Sequence, residues 1–179
     1  MPLLPPEGIA AREARWCRRA NRYGRRRGIR LVFSSLSRLG DGMFWYVLMG
    51  AIALLGGARG AAVAVQMAAT GVVAALLYRT LKRWTRRPRP FRAHADITAL
   101  AAPLDEFSFP SGHTLHAVTF TVVALAHMPV LAPLLVPFTL LVAMSRVVLG
   151  LHYPSDVLAA AAIGVALGMA SLGVMPPAA

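Results

Sequence analysis

After residue 42, long apolar stretches of this chain alternate with short polar or glycine-rich segments. Because a helix needs about 20 apolar residues to cross the hydrocarbon core of a bilayer, such stretches predict membrane-spanning helices. The first stretch is short for a span unless 39–42 or 56–57 extends it. The predicted spans lie at 43–55, 61–81, 114–126, 130–149 and 157–175. The pattern therefore predicts an all-α fold, a polytopic membrane helix bundle with about five transmembrane helices.

The first part of the chain, 7–27, alternates arginines with apolar residues at a spacing of about 3.6. The apolar positions on one side of the resulting helix are Ile9, Trp16, Ala20 and Tyr23. This predicts a basic amphipathic helix on the membrane surface, where Trp and Tyr are favoured. A disordered basic tail is the alternative. We therefore divide the chain into a basic amphipathic membrane-surface segment, 1–39, and a transmembrane domain, 40–179.

Composition agrees with a membrane protein. The 179 residues are 57% hydrophobic and only 15% charged, with a mean hydropathy of +0.58, which excludes an ordinary soluble globule. The net charge is +12, and the basic residues flank apolar spans without any nucleic-acid fold signature, so anionic lipid headgroups are the expected partner and nucleic acid is not. The lone Cys17 cannot form an intrachain disulfide, and no metal-binding cluster of Cys and His is visible.

The segment after the second predicted span is rich in basic residues: Lys82-Arg83-Trp84-Thr85-Arg86-Arg87-Pro88-Arg89-Pro90. Lys82 supplies a point charge, and Arg89 can bind two phosphate oxygens through its planar guanidinium group. A basic cluster that only contacts lipid headgroups is the alternative.

A second motif, Pro110-Ser111-Gly112-His113, opens the third predicted span. Ser111 stands at the N-cap position, and Gly112 lets the backbone approach an anion closely. The free N–H groups of a helix N-terminus favour an anion, and His113 is placed to protonate a leaving oxygen. An ordinary Ser-capped helix with an incidental histidine is the alternative.

The third motif combines Ser145-Arg146 with His152 and Asp156. Arg146 lies near the end of an apolar span, where an unpaired cation is costly and usually functional. Asp156 can accept one imidazole N–H of His152 and leave the other nitrogen free to attack. A surface His paired with a helix-start Asp is the alternative. With five spans, all three motifs and the N-terminus share one side of the membrane.

The three segments fit one pattern: Lys, six residues, Arg-Pro; Pro-Ser-Gly-His; then Ser-Arg, five residues, His, three residues, Asp. Over roughly 40–175 the chain resembles the type 2 phosphatidic acid phosphatase family, which shares its site with vanadium haloperoxidases and some bacterial acid phosphatases. The resemblance implies a helical bundle, a phosphohistidine mechanism, and no metal or cofactor. Larger family members have six spans, and the basic N-terminal helix stands where their first span would be.

The resemblance also implies roles for individual residues. His152 would be the nucleophile, Asp156 would orient it, and His113 would be the general acid that later activates water. Five further residues would hold the phosphoryl oxygens: Lys82, Arg89, Ser111, Gly112 and Arg146. The domain at 40–179 would then be a transmembrane phosphatase domain.

We therefore expect a metal-independent lipid phosphatase that hydrolyses a terminal phosphate, as in phosphatidic acid or phosphatidylglycerol phosphate. An undecaprenyl or other polyprenyl diphosphate phosphatase is the alternative, followed by a non-catalytic lipid-binding membrane protein. We expect the protein to lie in the cell (inner) membrane. Eighteen of the nineteen basic residues lie on or near the active-site face and only Arg59 lies opposite, so the positive-inside rule favours a cytoplasmic site. Oligomeric state and the role of His116 stay open.

Overall fold

The computed structural model describes residues 8–176, and within that range the regular structure is entirely helical. Residues 1–7 and 177–179, which belong to the two predicted segments, lie outside it. Two short irregular turns interrupt the α-helices, a π-helical turn at Leu39–Met43 and a 3-10 turn at Pro129–Leu131. The α-helices are α1 (Ile9–Gly24), α2 (Arg27–Arg38), α3 (Phe44–Leu55), α4 (Gly57–Thr85), α5 (Pro90–Ala93), α6 (Gly112–His127), α7 (Ala132–Val148) and α8 (Pro154–Val174).

The N-terminal basic helix predicted from the sequence is present as α1. On its predicted apolar side Ile9, Trp16 and Tyr23 are exposed and Ala20 is half-buried, and its opposite side packs against α7 and α8. The packed side consists of small or polar residues: Ala14, Cys17, Asn21 and Gly24. Gly24 permits this close approach, because a Cβ there would lie 2.7 Å from the carbonyl oxygen of Val148.

The first predicted span, 43–55, corresponds to α3 and lies within a longer candidate span. Helices α2 and α3 are joined by the π-helical turn, where the chain is kinked at Gly42, and together they form a candidate span of 29 residues, Arg27–Leu55. Gly42 in that turn has a φ of 142°, a value that favours glycine.

Four helices in the described part of the chain are long and apolar enough to cross a membrane: Arg27–Leu55, Gly57–Ala93, Pro129–Val148 and Pro154–Val174. Helix α6 has 16 residues, nine of them buried, and it contacts α4, α7 and α8 at the centre of the bundle. The protein is thus an all-α, multi-pass membrane helix bundle, as the apolar pattern predicted.

Small residues bring the bundle helices together. A Cβ on Gly164 of α8 would lie 2.9 Å from the backbone oxygen of Leu115, and one on Gly168 would lie 2.6 Å from the Val122 side chain. Close contact between α8 and α6 therefore depends on glycine, as expected for helix packing in a bilayer.

Several helix ends meet at one end of the bundle. The Ser111 N–H at the start of α6 donates to the carbonyl oxygen of Asp156 in the first turn of α8 (3.2 Å). The Ser108 N–H donates to the carbonyl oxygen of Arg87, just after α4 (2.8 Å), and the Leu100 N–H donates to that of Leu149, just after α7 (3.0 Å). The three motifs, dispersed in sequence, therefore converge.

Candidate active site

A cavity of about 850 Å³ lies where these helix ends meet. Six of the eight residues singled out from the sequence line it: Lys82, Arg89, Gly112, His113, Arg146 and His152. The other two, Ser111 and Asp156, are fully buried behind the cavity wall. The structure thus brings all three motifs to one site.

His152 lies on the short connection between α7 and α8 and is 1% exposed. The chain reverses there at Gly150, whose φ of 75° favours glycine, and the N–H groups of Leu151 and His152 both donate to the carbonyl oxygen of Arg146. Arg89 Nη1 lies 3.1 Å from His152 Nε2. Because a guanidinium only donates, Nε2 must be the acceptor and the ring proton lies on Nδ1.

Asp156 faces that protonated nitrogen. Its Oδ2 lies 3.7 Å from His152 Nδ1, longer than a hydrogen bond, while the same oxygen accepts from the Ser108 hydroxyl and from the Tyr153 N–H (2.8 Å). The other oxygen, Oδ1, accepts from Arg87 Nη1 at 2.7 Å. The carboxylate is therefore held in place by groups other than the imidazole.

Burial, reinforced by the charges of Arg146 and Arg89, lowers the pKa of His152 to about 3. The ring is consequently neutral at physiological pH. A neutral imidazole with a lone pair on Nε2 is the form that can attack an electrophilic phosphorus atom.

Lys82 and Arg89 converge on a single carboxylate. Asp105 Oδ1 lies 2.8 Å from Lys82 Nζ and 2.7 Å from Arg89 Nη2. Burial would raise the pKa of Asp105, but the hydrogen bonds and charges of Lys82 and Arg89 outweigh it and hold that pKa below its ordinary value. The spacing of the two cations thus suits one anionic oxygen between them.

Arg146 is a third cation of the site and is 2% exposed. Its Nη1 donates to the hydroxyl of Ser37 in α2, and its Nε is buried without a hydrogen-bond partner within residues 8–176. Ser145 next to it donates to the carbonyl oxygen of Val142 within α7. Arg146 therefore keeps donor capacity that protein groups do not use.

The start of α6 borders the cavity. Ser111 is the N-cap residue, yet its hydroxyl lies 3.0 Å from that of Thr114 and makes no cap hydrogen bond to the backbone. His113 Nε2 contacts the carboxylate of Asp41 in the π-helical turn. His116 also lines the cavity, with Nε2 3.1 Å from the Gly71 carbonyl oxygen and Nδ1 3.0 Å from that of Gly112. His116 thus bonds to helix backbones on two sides.

Sequence reasoning missed several residues of this site. Asp41 was findable, because it is an ionisable residue beside an apolar span. The sequence does not distinguish Arg87 from the arginines around it, and it does not show whether Asp105 takes part in the site. Ser37 and Ser108 carry no sequence signal of their own.

In the part of the chain that the structure describes, no group of three or more His, Cys, Asp or Glu residues could hold a metal ion. The fold and the site together define a multi-pass membrane protein with a cavity that is lined by three cationic side chains and by the imidazoles of His113 and His152. The PAP2 superfamily matches residues 57–178, and the chain belongs to that superfamily.

The chain is also similar to individual proteins and to solved structures. The chain is 38% identical over 151 residues to a decaprenylphosphoryl-5-phosphoribose phosphatase of Mycobacterium tuberculosis, covering 80% of this chain and 76% of that protein. Its fold is similar to the crystal structure of a transmembrane PAP2-type phosphatidylglycerolphosphate phosphatase from Bacillus subtilis (TM-score 0.74, 25% identity, 93% of this chain and 85% of that one). It is equally similar to Aquifex aeolicus LpxE (TM-score 0.75, 28% identity, 89% and 93%).

Proposed function

We propose that the protein is a metal-independent membrane lipid phosphatase that hydrolyses a terminal phosphate through a phosphohistidine at His152. The observation that carries the proposal is the state of His152: a buried, neutral ring whose Nε2 lone pair lies beside the cationic cavity. The membership of the chain in the PAP2 superfamily supports it.

In the first half-reaction the phosphate binds among Lys82, Arg89 and Arg146, with the N-terminal N–H groups of α6 as further donors. His152 Nε2 attacks phosphorus, the bond from phosphorus to the leaving oxygen breaks, and His113 donates a proton to that oxygen. Asp156 accepts the Nδ1–H of His152 and stabilises the positive charge that develops on the ring.

In the second half-reaction His113, now neutral, takes a proton from a water molecule. That water attacks phosphorus, the bond from phosphorus to His152 breaks, and inorganic phosphate leaves. Both imidazoles return to their starting protonation states, so no metal is needed for the cycle.

The cavity supports a lipid phosphate as substrate. One part is lined by the cations and imidazoles, and another by apolar residues of α3 and α4, including Met49, Ala68 and Val72. A phosphate can bind at the polar part while an apolar tail extends between the two helices. Phosphatidic acid and phosphatidylglycerol phosphate have this form.

A polyprenyl phosphate or diphosphate, such as undecaprenyl diphosphate, is the second candidate substrate. The Mycobacterium tuberculosis relative is named for a decaprenylphosphoryl compound, and its match extends over most of both chains. The phosphate chemistry would be the same, since only the shape of the apolar part of the cavity selects the tail.

We further infer that the protein lies in the cell (inner) membrane with its active site toward the cytoplasm. Helix α1, part of the membrane-surface segment 1–39, lies at the active-site end and exposes Trp16 and Tyr23 together with several arginines. This arrangement supports contact with anionic lipids at that surface.

The protein purified in detergent should release phosphate from short-chain phosphatidic acid in the presence of EDTA, and vanadate should inhibit the release. His152→Ala should abolish turnover. His127→Ala is the matched control, because His127 ends α6 outside the cavity and should leave turnover unchanged. Phosphate release that persists in His152→Ala would refute the assigned nucleophile. A panel that includes farnesyl and undecaprenyl diphosphate, compared by kcat/KM, separates the two substrate classes.

A further inference from the structure

Helix α1 lies outside the residues matched by the PAP2 superfamily, yet its buried side contacts the connection that carries His152. Asn21 Nδ2 donates to the carbonyl oxygen of Val148 (3.2 Å), and Cys17 Sγ lies 3.7 Å from that of His152. Glu13 Oε1 accepts from the Ser155 N–H at 2.8 Å. Three contacts along α1 therefore follow the chain from the end of α7 to the start of α8.

Glu13 makes a second contact that reaches the reacting residues. Its Oε2 lies 2.7 Å from Arg87 Nη2, and its side chain is only 11% exposed although it lies on the basic helix. Burial would raise the pKa of Glu13, but the hydrogen bonds from Ser155 and the charge of Arg87 lower it below its ordinary value. The carboxylate is therefore ionised and engaged at both oxygens.

Arg87 links Glu13 to Asp156, the carboxylate that faces the proposed nucleophile His152. Its Nη1 donates to Asp156 Oδ1 and to the Ser155 hydroxyl, both at 2.7 Å. Its guanidinium carbon lies 4.1 Å from the centre of the Tyr153 ring, which restricts the plane of the group. Arg87 is thus held on one side by Glu13 and holds Asp156 on the other.

We propose that Glu13 and Arg87 are positioning residues for the reaction, and that α1 in this way completes an active site whose reacting groups lie in the PAP2 region. The proposal rests on the function proposed above. Asp156 faces His152 Nδ1 across 3.7 Å, so a small displacement of the carboxylate decides whether it supports the ring during attack. Neither positioning residue lines the main cavity, so substrate binding should not depend on them.

The test compares kcat and KM for phosphatidic acid hydrolysis by the full-length protein in detergent. Glu13→Gln keeps the size of the side chain and removes the charge that holds Arg87. We expect kcat to fall about 10-fold while KM stays within about twofold, because only the alignment of the nucleophile changes. Arg87→Gln should have the same effect. The double variant should be no slower than Arg87→Gln alone, because Glu13 acts through Arg87.

Asp96→Asn is the matched control, since it removes another ion pair of α1, with Arg18 at 3.5 Å, that does not contact Asp156. It should leave kcat unchanged. Glu13→Asp retains the charge and should restore part of the lost kcat, which a general loosening of α1 would not explain. Should Glu13→Gln not purify as a monodisperse protein, the same comparison is made with Glu13→Asp against Asp96→Asn.

A kcat for Glu13→Gln within twofold of the unsubstituted protein would overturn the proposal. Losses that simply multiply in the double variant would also overturn it, because Glu13 would then not act through Arg87. His152→Ala assayed beside them separates the two proposals. If it is inactive while Glu13→Gln is fully active, only the positioning role fails, whereas phosphate release by His152→Ala would refute the nucleophile itself.

Discussion

At the scale of single residues, the site is organised around basic side chains, which can donate hydrogen bonds but cannot accept them. The guanidinium of Arg89 beside Nε2 determines which imidazole nitrogen of His152 carries the proton. Lys82 and Arg89 together hold one carboxylate oxygen of Asp105. Both arrangements follow from the same property of basic side chains, which need an acceptor when they are removed from water.

Asp105 occupies the space between two cations that we expect to bind phosphate, so it should compete with the substrate. Asp105→Asn should lower KM by about threefold, equivalent to ~0.7 kcal/mol, the size expected for a partly exposed ion pair. The measurement is KM for phosphatidic acid. Glu106→Gln is the control. It also removes one negative charge, at the neighbouring position, but the carboxylate of Glu106 pairs with Arg92 in an exposed ion pair. An unchanged or higher KM in Asp105→Asn would contradict competition.

The lowered pKa of His152 also predicts a pH dependence of stability. In the unfolded chain the His152 ring has its ordinary pKa of 6.5 and takes up a proton as the pH falls below that value. In the folded protein the ring takes up a proton only when the pH falls to about 3. Stability should therefore fall as the pH falls below 6.5, by about 2 kcal/mol between pH 7 and pH 5. The carboxylates with lowered pKa values, Asp105 and Glu13, lose their contribution only at lower pH.

Unfolding in detergent at pH 7 and pH 5 measures this effect. His152→Gln lacks the titrating group but keeps a side chain that can accept from Arg89, so it should lose less stability over the same interval. Equal losses in both proteins would show that other groups dominate.

At the scale of elements, the bundle depends on how closely α8 approaches α6. Gly164 faces the backbone of α6, and a backbone atom cannot move aside as a flexible side chain can. Close packing of small residues replaces the hydrophobic driving force that is absent between helices in lipid.

Gly164→Ala should therefore destabilise the protein by about 1–3 kcal/mol, the cost of overpacking. Thermal unfolding in detergent should show a lower Tm. Gly173→Ala in the same helix is the control, because nothing lies within 4 Å of a Cβ there. If the two variants unfold alike, the contact between α6 and α8 is looser than its geometry indicates.

At the scale of the whole molecule, charge is distributed unequally between the two ends. The polar loops and α1 lie at the active-site end, while Arg59 lies in the first turn of α4, at the opposite end. Basic residues are retained on the cytoplasmic side of membranes.

This asymmetry predicts the outcome of cysteine labelling in intact cells. Burial raises the pKa of Cys17 to about 12, so the native thiol should stay unmodified and provide a low background. A membrane-impermeant maleimide should label Ala58→Cys, in the first turn of α4 at the far end, and should label Ala95→Cys only after permeabilisation. Both positions are exposed. Labelling of Ala95→Cys from outside would place the active site on the outer face.

Most of the fold was predictable from local information. Apolar stretches long enough to cross a bilayer, and the glycines between the first two bundle helices, indicated the bundle and its order. The extension of the first span by α2 was not predicted, because the arginines of α2 lower the local hydropathy, and α2 joins α3 only across a kink at Gly42. Hydropathy averages charge along a segment, whereas a helix distributes it around its sides.

The sequence by itself determined the composition of the site: which cations, imidazoles and carboxylates are available. It also predicted two spans between the second and third motifs, which would return the chain to the same face. Only the tertiary structure decided which of them touch. It placed Asp105 between Lys82 and Arg89, Asp41 beside His113, and Glu13 against Arg87. Spacing along a chain records local geometry, but contacts between residues dozens of positions apart depend on how the helices pack, which no single segment encodes.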